Sequence, residues 1–210
     1  MKLYDFALAP NPRRVRMFLA EKGIEVPTVQ VNLREHEQFK PDFQAVSKHA
    51  VVPVLELDDG TRIGESVAIC RYFEEIQPDP PLMGIDATDK AIVEMWSRRT
   101  EIEGFQAFGE AVRNALPFFE GRSIPGVRDG FPQIPELAER GKQRARMFYD
   151  TLDEQLADNE FVAGPRFTVA DITAFVSVGF GERLEMTPPE TCSNLIRWYA
   201  AIEARPSAKA

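Results

Sequence analysis

The chain has 210 residues, enough for one large domain or two small ones with a sizeable buried core. Its 25 Lys and Arg residues against 33 Asp and Glu give a net charge of −8, which argues against a protein that holds nucleic acid on a general basic surface. No run approaches the ~18 apolar residues of a membrane span, and residues 1–14 lack the apolar run of a signal peptide. We therefore expect a cytoplasmic protein with no membrane or nucleic-acid partner.

Strands and helices alternate over the first 77 residues. A β-prone run at 2–6 precedes a helix for which Asn11 is the expected N-cap and Pro12 the first residue, with Gly23 at its end. The remaining elements are strands at 26–33, 51–57 and 61–63, a short helix or turn at 39–47, and a helix from Gly64-Glu65-Ser66 to about Gln77. This order, β-α-β-α-β-β-α, predicts an α/β domain.

The pattern changes after residue 77. Three prolines and a glycine fall within residues 78–84, which excludes a continuous helix and predicts a linker over 78–88. Beyond it, apolar residues recur with helical spacing at 89–116, 135–158, 168–183 and 191–204. We therefore divide the chain into an α/β domain at 1–77, the linker, and an all-helical domain at 89–210. The segment 117–135 holds four prolines and three glycines, and we expect it to form a lid.

Four residues have a structural interpretation. Cys70 and Cys192 lie far apart inside helical patterns, so we expect both to be small buried side chains rather than reactive thiols. Thr168 and Asp171 have the spacing of a capping box, in which each side chain bonds the backbone N–H of the other. Their loss is expected to impair folding and not ligand binding.

Three arginines crowd the first turns of the first helix, at positions 13, 14 and 16. The helix dipole disfavours cations there. The cluster is either a solvated helix face or an anion site.

Three motifs carry a resemblance to a known family: Val52-Pro53, Gly64-Glu65-Ser66, and Phe167-Thr168-Val169-Ala170-Asp171-Ile172. In their order and spacing, and over essentially its whole length, the sequence resembles the cytosolic glutathione S-transferases. The resemblance implies a thioredoxin-like N-terminal domain that binds glutathione, an all-α C-terminal domain that binds a second substrate, and a homodimer. It also implies glutathione as the co-substrate, no metal, and a role in detoxification.

The resemblance assigns glutathione ligands to the start of the third strand and to the start of the third helix. An X-Pro bond is usually trans, but in this family the bond before Pro53 is cis, and the backbone of Val52 pairs with the cysteinyl part of glutathione as an added strand. Ser66, at a helix start, would hold the γ-glutamyl carboxylate, and Glu65 would hold the ammonium. By default, Ser66 would simply be an N-cap.

Catalysis in this family requires the thiolate of glutathione, and the pKa of the thiol lies near or above the ~8.5 of cysteine. Members usually place a Tyr, Ser or Cys near the start of the first helix. The serine position falls on Ala9, which has no donor. Asn11, after Pro10, resembles the arrangement in the bacterial Nu class. Either its amide or the N–H groups of residues 12–14 with the helix dipole would stabilise the thiolate.

Further contacts are expected on both sides of a cleft between the domains. Gln38 falls where Nu-class proteins have a glutamine that contacts glutathione, and Arg13 would be a local cation facing the anionic tripeptide. The second substrate would contact the first helical hairpin, at Phe105, Phe108 and Arg113.

The resemblance therefore implies a glutathione transferase that joins the glutathione thiolate to a small hydrophobic electrophile. Two alternatives stay open. One is a glutathione-dependent disulfide-bond reductase, which the Nu-class resemblance and Ala9 allow. The other is a non-catalytic binding or interaction protein of the same fold, which Ala9 favours and the Glu65-Ser66 pair argues against.

Overall fold

A computed structural model describes all residues, 1–210. All strands lie in the first 77 residues, as expected. The elements of this part are β1 (Lys2–Asp5), α1 (Pro10–Lys22), β2 (Thr28–Gln30), α2 (Pro41–Gln44), β3 (Val54–Glu56), β4 (Arg62–Ile63) and α3 (Ser66–Ile76).

The rest of the chain is helical. Its helices are α4 (Ala87–Arg99), α5 (Gln106–Ala115), α6 (Pro135–Ala157), α7 (Val169–Gly181) and α8 (Ser193–Glu203). A π-helical turn at Thr100–Phe105 joins α4 to α5, so the long helix expected over 89–116 is present with one local distortion. The predicted fold class, a thioredoxin-like domain followed by an all-α part, is confirmed.

The four strands form one sheet in the order β2-β1-β3-β4. The central strand β1 runs parallel to β2 and antiparallel to β3, and Leu3 pairs with Thr28 on one side and Leu55 on the other. β2 is much shorter than the sequence predicts, because it is an edge strand whose three residues are all exposed. The sheet places the carboxyl end of β1, and hence the start of α1, at the edge of the cleft.

A single hydrophobic cluster of 37 buried residues joins the two parts of the chain. It extends from Leu3 in β1 to Ala208 near the C-terminus, and α1 packs against both α3 and α7. Because α1 belongs to both halves of this cluster, the two walls of the cleft are held in a fixed relation.

The start of α7 confirms the predicted capping box. The Asp171 carboxylate accepts hydrogen bonds from the backbone N–H and Oγ1 of Thr168 at 2.9 and 3.1 Å. It also accepts bonds from the N–H of Val162 at 2.8 Å and from Nε1 of Trp198 at 2.9 Å. Burial raises the pKa of Asp171 to about 6 in spite of these bonds. The pair therefore closes the helix start, as the sequence indicates.

Both cysteines are free and buried, as expected. Burial raises the pKa of the Cys70 thiol to about 12, and burial likewise raises that of Cys192. These thiols are protonated near neutral pH and are therefore poor nucleophiles. None of the helices combines the length and the apolar character that crossing a bilayer requires.

Candidate active site

A cavity of about 1200 Å³ lies between the two parts of the chain. One wall is formed by residues within 6–11, 33–39 and 50–52, and the other by residues within 105–116, 118–137 and 180–183. Its volume exceeds the roughly 300–1,000 Å³ usual for a small-molecule pocket. The cleft therefore has room for two ligands side by side.

α1 begins one position earlier than the sequence predicts. Ala9 is the N-cap, with an extended backbone (φ −88°, ψ 137°), and its carbonyl accepts the first helical hydrogen bond from the Arg13 N–H at 3.3 Å. Pro10 is the first helical residue. The expectation that Asn11 caps the helix is therefore wrong, and Asn11 lies inside the first turn.

This register decides which backbone donors the start of α1 offers. Pro10 and Pro12 have no N–H, and the N–H of Arg13 is bonded to Ala9. Arg14 lies further in, where helical N–H groups bond the carbonyls four residues earlier. The N–H groups of residues 12–14 are therefore not available to a thiolate, contrary to expectation. The N–H of Asn11 is the backbone donor of this turn that has no partner within the chain.

The side chain of Asn11 offers a second donor. Its Oδ1 accepts a hydrogen bond from Nη1 of Arg14 at 3.2 Å. Because a guanidinium only donates, the amide oxygen must face Arg14, and Nδ2 is left without a partner in the chain. Asn11 is half-buried and lines the cavity. It therefore presents two N–H donors, one from the backbone and one from the side chain, at a single point.

Arg14 is a buried cation next to Asn11. It forms an ion pair with Glu101 at 3.3 Å and lies 5.1 Å from the ring centroid of Phe105, both of which belong to the π-helical turn. Burial lowers the pKa of its guanidinium, while Glu101 and Glu65 act in the opposite direction. Its Nε and Nη2 have no hydrogen-bond partner. This positive charge polarises the amide of Asn11 and strengthens Nδ2 as a donor.

The other two arginines of the cluster do not face the cleft. Arg13 donates to the carbonyl of Ala208 at 2.9 Å and lies over the ring of Phe175, so its guanidinium packs against the helical part. Arg16 forms an ion pair with Asp5 at 2.6 Å. The cluster is thus neither a solvated face nor an anion site, and the structure does not bring Arg13 to the cavity.

The loop before β3 supplies the residues that the resemblance assigns to the peptide part of glutathione. The bond between Val52 and Pro53 is cis, and the N–H and carbonyl of Val52 have no partner within the chain. Gln38 lines the same cavity, and its buried Oε1 is also without a partner. An extended peptide with its own N–H and C=O groups fits these free groups.

α3 begins at Ser66, and Glu65 occupies the N-cap position without a capping hydrogen bond. The default interpretation of Ser66 as the N-cap is therefore wrong. Glu65 has a positive φ of 61°, a conformation that costs a non-glycine residue about 1–3 kcal/mol. Ser66 is buried, yet its Oγ makes no hydrogen bond within the chain, and the N–H groups of residues 66–68 are free.

The structure therefore divides the predicted glutathione ligands into two sets. Asn11, Gln38 and Val52 line the cavity, whereas Pro53, Glu65 and Ser66 do not.

On the helical wall, the structure separates the three residues predicted for the second substrate. Phe105 lines the cavity and stacks on Phe180 at a centroid distance of 6.2 Å. Phe108 is fully buried on the opposite face of the helix, against Tyr149 and Gly181, so its assignment to the cavity is wrong.

Arg113 lines the cavity, but its guanidinium is bonded to the segment 117–135. Its guanidinium donates to the carbonyls of Ser123 at 2.6 Å and Arg122 at 2.7 Å, and lies 4.6 Å from the ring centroid of Phe119. Burial lowers its pKa to about 10. Arg113 therefore holds the segment that the sequence predicts to be a lid.

That segment, residues 117–135, is called the lid below; it lines the cavity and reaches the opposite wall. Nη1 of Arg122 lies 3.0 Å from Nδ1 of His36. Gly126, at φ 75°, packs so closely on the carbonyl of His49 that any side chain would clash. Sequence reasoning missed several further residues of the cavity, among them Arg34 and Arg183, since nothing in their spacing marks them.

Comparison with known proteins agrees with this architecture. Residues 3–81 match the family model for the glutathione S-transferase N-terminal domain, and residues 131–206 match that for its C-terminal domain. Glutathione S-transferase 2 of Saccharomyces cerevisiae is 34% identical over 100% of this chain and 88% of its own length.

Solved structures give the same result. A glutathione S-transferase domain-containing protein from Marinobacter aquaeolei superposes with a TM-score of 0.90 at 38% identity, covering 99% of each chain. Gtt2 from Saccharomyces cerevisiae gives 0.90 at 34% identity, covering 100% of this chain and 99% of its own. Fold and site together define an enzyme of the thioredoxin-like, glutathione-dependent class. The chain belongs to the glutathione S-transferase family, whose co-substrate is glutathione.

Proposed function

We propose that this enzyme joins the thiolate of glutathione to a small, largely apolar electrophile bound in the cavity, and that Asn11 stabilises the thiolate. The observation that carries the proposal is the start of α1, where Asn11 offers a backbone N–H and Nδ2 to the cavity while the neighbouring prolines offer nothing. Two donors at one point suit a single anionic sulfur atom.

Glutathione would lie along the wall formed by the first 77 residues. The free N–H and C=O of Val52 would pair with the cysteinyl residue as an added strand. Gln38, with its unpartnered Oε1, would accept a bond from a peptide N–H. The start of α3, with Ser66 and three free N–H groups, would hold the γ-glutamyl carboxylate, and Glu65 would hold the ammonium.

The chemistry then needs little more than an ionised thiol. The thiol proton passes to solvent, the sulfur forms a bond to the electrophilic carbon, and a halide leaves with its bonding pair. With an activated double bond, the resulting carbanion instead takes a proton from water. The donors of Asn11, backed by the charge of Arg14, would lower the pKa of the thiol and raise the fraction of thiolate at neutral pH.

The electrophile would occupy the helical side of the cavity. Phe105 and Phe180 form an apolar surface there, and Phe119 of the lid lies beside Arg113. The lid would exclude water, which would protect the electrophile from hydrolysis and strengthen the electrostatic interactions.

A glutathione-dependent disulfide-bond reductase is the second candidate. Ala9 removes the usual hydroxyl donor, and the volume of the cavity leaves room for a second glutathione beside the first. In that reaction the thiolate attacks a disulfide sulfur and a thiolate leaves. The non-catalytic alternative is set aside, because the chain belongs to the glutathione S-transferase family and the donors of Asn11 at the cavity have no partner within the chain.

One assay series separates the candidates. Purified protein is given glutathione with chlorodinitrobenzene or with a small mixed disulfide, alongside Glu65→Ala and Asn11→Ala. Conjugation of chlorodinitrobenzene that falls in both variants supports the transferase, and turnover of the disulfide alone supports the reductase. Activity on neither substrate, with no glutathione binding, would refute both.

We also propose a homodimer in the cytoplasm, built from a glutathione-binding domain at 1–77, a linker at 78–88 and a helical domain at 89–210. The support is the family resemblance together with the all-helical composition after residue 77. Light scattering should give twice the mass of the chain, and a monomer at assay concentrations would contradict the homodimer.

A further inference from the structure

The walls of the cavity are positively charged in a protein that is otherwise acidic. The net charge of the chain is −8. The cavity, however, is lined by a single carboxylate and four arginines, Arg34, Arg113, Arg122 and Arg183. The carboxylate, Glu110, is engaged by Arg144 at 2.9 Å. The local charge therefore favours an anion.

Two of these arginines have roles in the lid. Arg113 donates to two lid carbonyls, and Arg122 donates to the carbonyl of Phe118 and contacts His36. Their donors are therefore largely used within the chain.

The guanidinium groups of the other two arginines have fewer partners within the chain. Arg34 makes no side-chain hydrogen bond or ion pair within the chain, and Arg183 has no carboxylate within ion-pair distance. Arg183 donates from Nη2 to the carbonyl of Leu8 at 2.8 Å, and its guanidinium lies 5.3 Å from the ring centroid of Phe180. Both residues thus have N–H donors to offer a ligand.

These two arginines line the same cavity from opposite walls. Arg34 lies in the 3-10 turn Leu33–Glu35, and Arg183 lies directly after α7. Their like charges interact, since Arg34, after burial, is a cause of the lowered pKa of Arg183. Two cations that line one cavity repel each other, and an anion bound between them would relieve this repulsion. The apolar pair Phe105 and Phe180 lies next to Arg183.

We propose that Arg34 and Arg183 bind an anionic substituent of the second substrate, so that the preferred electrophiles are apolar molecules that carry a carboxylate or sulfonate. This inference rests on the proposed transferase function. Glutathione itself carries two carboxylates. Its γ-glutamyl end is assigned to Ser66, outside the cavity, and the experiment separates its glycyl end from the second substrate.

The experiment compares chlorodinitrobenzene with chlorodinitrobenzoate, which undergo the same displacement of chloride and differ by one negative charge. The readout is the ratio of kcat/KM for the anionic substrate to that for the neutral one. Arg34→Gln and Arg183→Gln should each lower this ratio about threefold to tenfold, and added salt should lower it in the wild type. Arg146→Gln, which removes an exposed arginine of α6 outside the cavity, should leave the ratio unchanged.

An unchanged ratio in both variants would overturn the inference. So would a rise in KM for glutathione with the ratio unchanged, since the cations would then serve the glycyl carboxylate. Binding of dinitrobenzoate, which has no leaving group, is measured by calorimetry as well. The wild type could conjugate neither substrate and still bind dinitrobenzoate more tightly than the two variants do. This result would refute the transferase function and support the anion site. Equal binding by all three proteins would refute the site itself.

Discussion

The two helix starts assigned to glutathione, those of α1 and α3, offer different sets of donors. α3 leaves the N–H groups of residues 66–68 free and adds the Oγ of Ser66. α1 leaves a single backbone N–H, because its first and third residues are prolines, and adds Nδ2 of Asn11. The first arrangement suits the two oxygens of a carboxylate, and the second suits one sulfur atom. The positions of prolines thus decide what kind of anion a helix start can hold.

The start of α7 shows the opposite case. There the side chains of Thr168 and Asp171 satisfy the backbone donors, and the whole start is buried. We therefore expect the open starts of α1 and α3 to hold the ligand, whereas the closed start of α7 stabilises the fold. The following variants test this distinction, in order of decreasing effect.

Asp171→Ala should have the largest effect, and the effect should be on folding. The change leaves the buried donors of Val162, Thr168 and Trp198 without an acceptor. We expect the free energy of unfolding to fall by about 3 kcal/mol or more, measured by urea denaturation. Asp158→Ala, at the exposed end of α6, is the control. A folded Asp171→Ala protein of normal stability that had lost only glutathione binding would contradict the structural role.

Ser66→Ala should leave stability nearly unchanged, because Oγ makes no hydrogen bond within the chain. It should weaken glutathione binding about tenfold to a hundredfold, the usual worth of a hydrogen bond to a charged group. Calorimetry measures the affinity. Ser193→Ala is a matched control, since Ser193 is also the first residue of a helix but lies on the exposed start of α8. Equal effects of the two substitutions would refute the assignment of α3.

Asn11→Ala should lower kcat/KM at neutral pH about tenfold and shift the alkaline pH profile upward, because the thiol loses a donor that favours its ionised form. Asn11→Asp, which keeps the acceptor for Arg14 but adds a negative charge beside the thiolate, should be more damaging than Asn11→Ala. The pH dependence of the conjugation rate measures both. Higher activity in Asn11→Asp than in Asn11→Ala would argue against donation by this side chain.

Pro12→Ala should have the smallest effect, and it should change the thiol pKa in the direction opposite to Asn11→Ala. It restores a backbone N–H in the first turn of α1, so the apparent pKa of the thiol should fall by a few tenths, about a twofold change in the thiolate fraction below that pKa. Pro206→Ala, remote from the cavity, is the control. A rise in the thiol pKa in folded Pro12→Ala would show that the prolines do not limit this site.

Much of the fold was predictable because local signals agree. The alternation of strands and helices, the proline-rich break and the capping box each indicate an element, and Val52-Pro53 with Glu65-Ser66 indicate the family. The register of α1 was not predictable in the same way. Both Pro10 and Pro12 suit the first helical position. Which of them begins the helix depends on where β1 ends and how the chain turns after it.

The helical wall was harder to predict for a physical reason. Phe105 and Phe108 both fit the apolar spacing of one helix, and only packing against Tyr149 and Gly181 decides that Phe108 is core. Arg13 was misplaced because its partner, the carbonyl of Ala208, lies 195 residues away in sequence. Long side chains with distant partners leave no local signal.

We propose above all that Asn11 lowers the pKa of the glutathione thiol. An ultraviolet titration of the thiolate of bound glutathione, in wild type and in Asn11→Ala at saturating glutathione, tests it without any electrophile. The bound thiol in the wild type should ionise well below the pKa of free glutathione, and most of this difference should be lost in Asn11→Ala. Identical titration curves for the two proteins would contradict it.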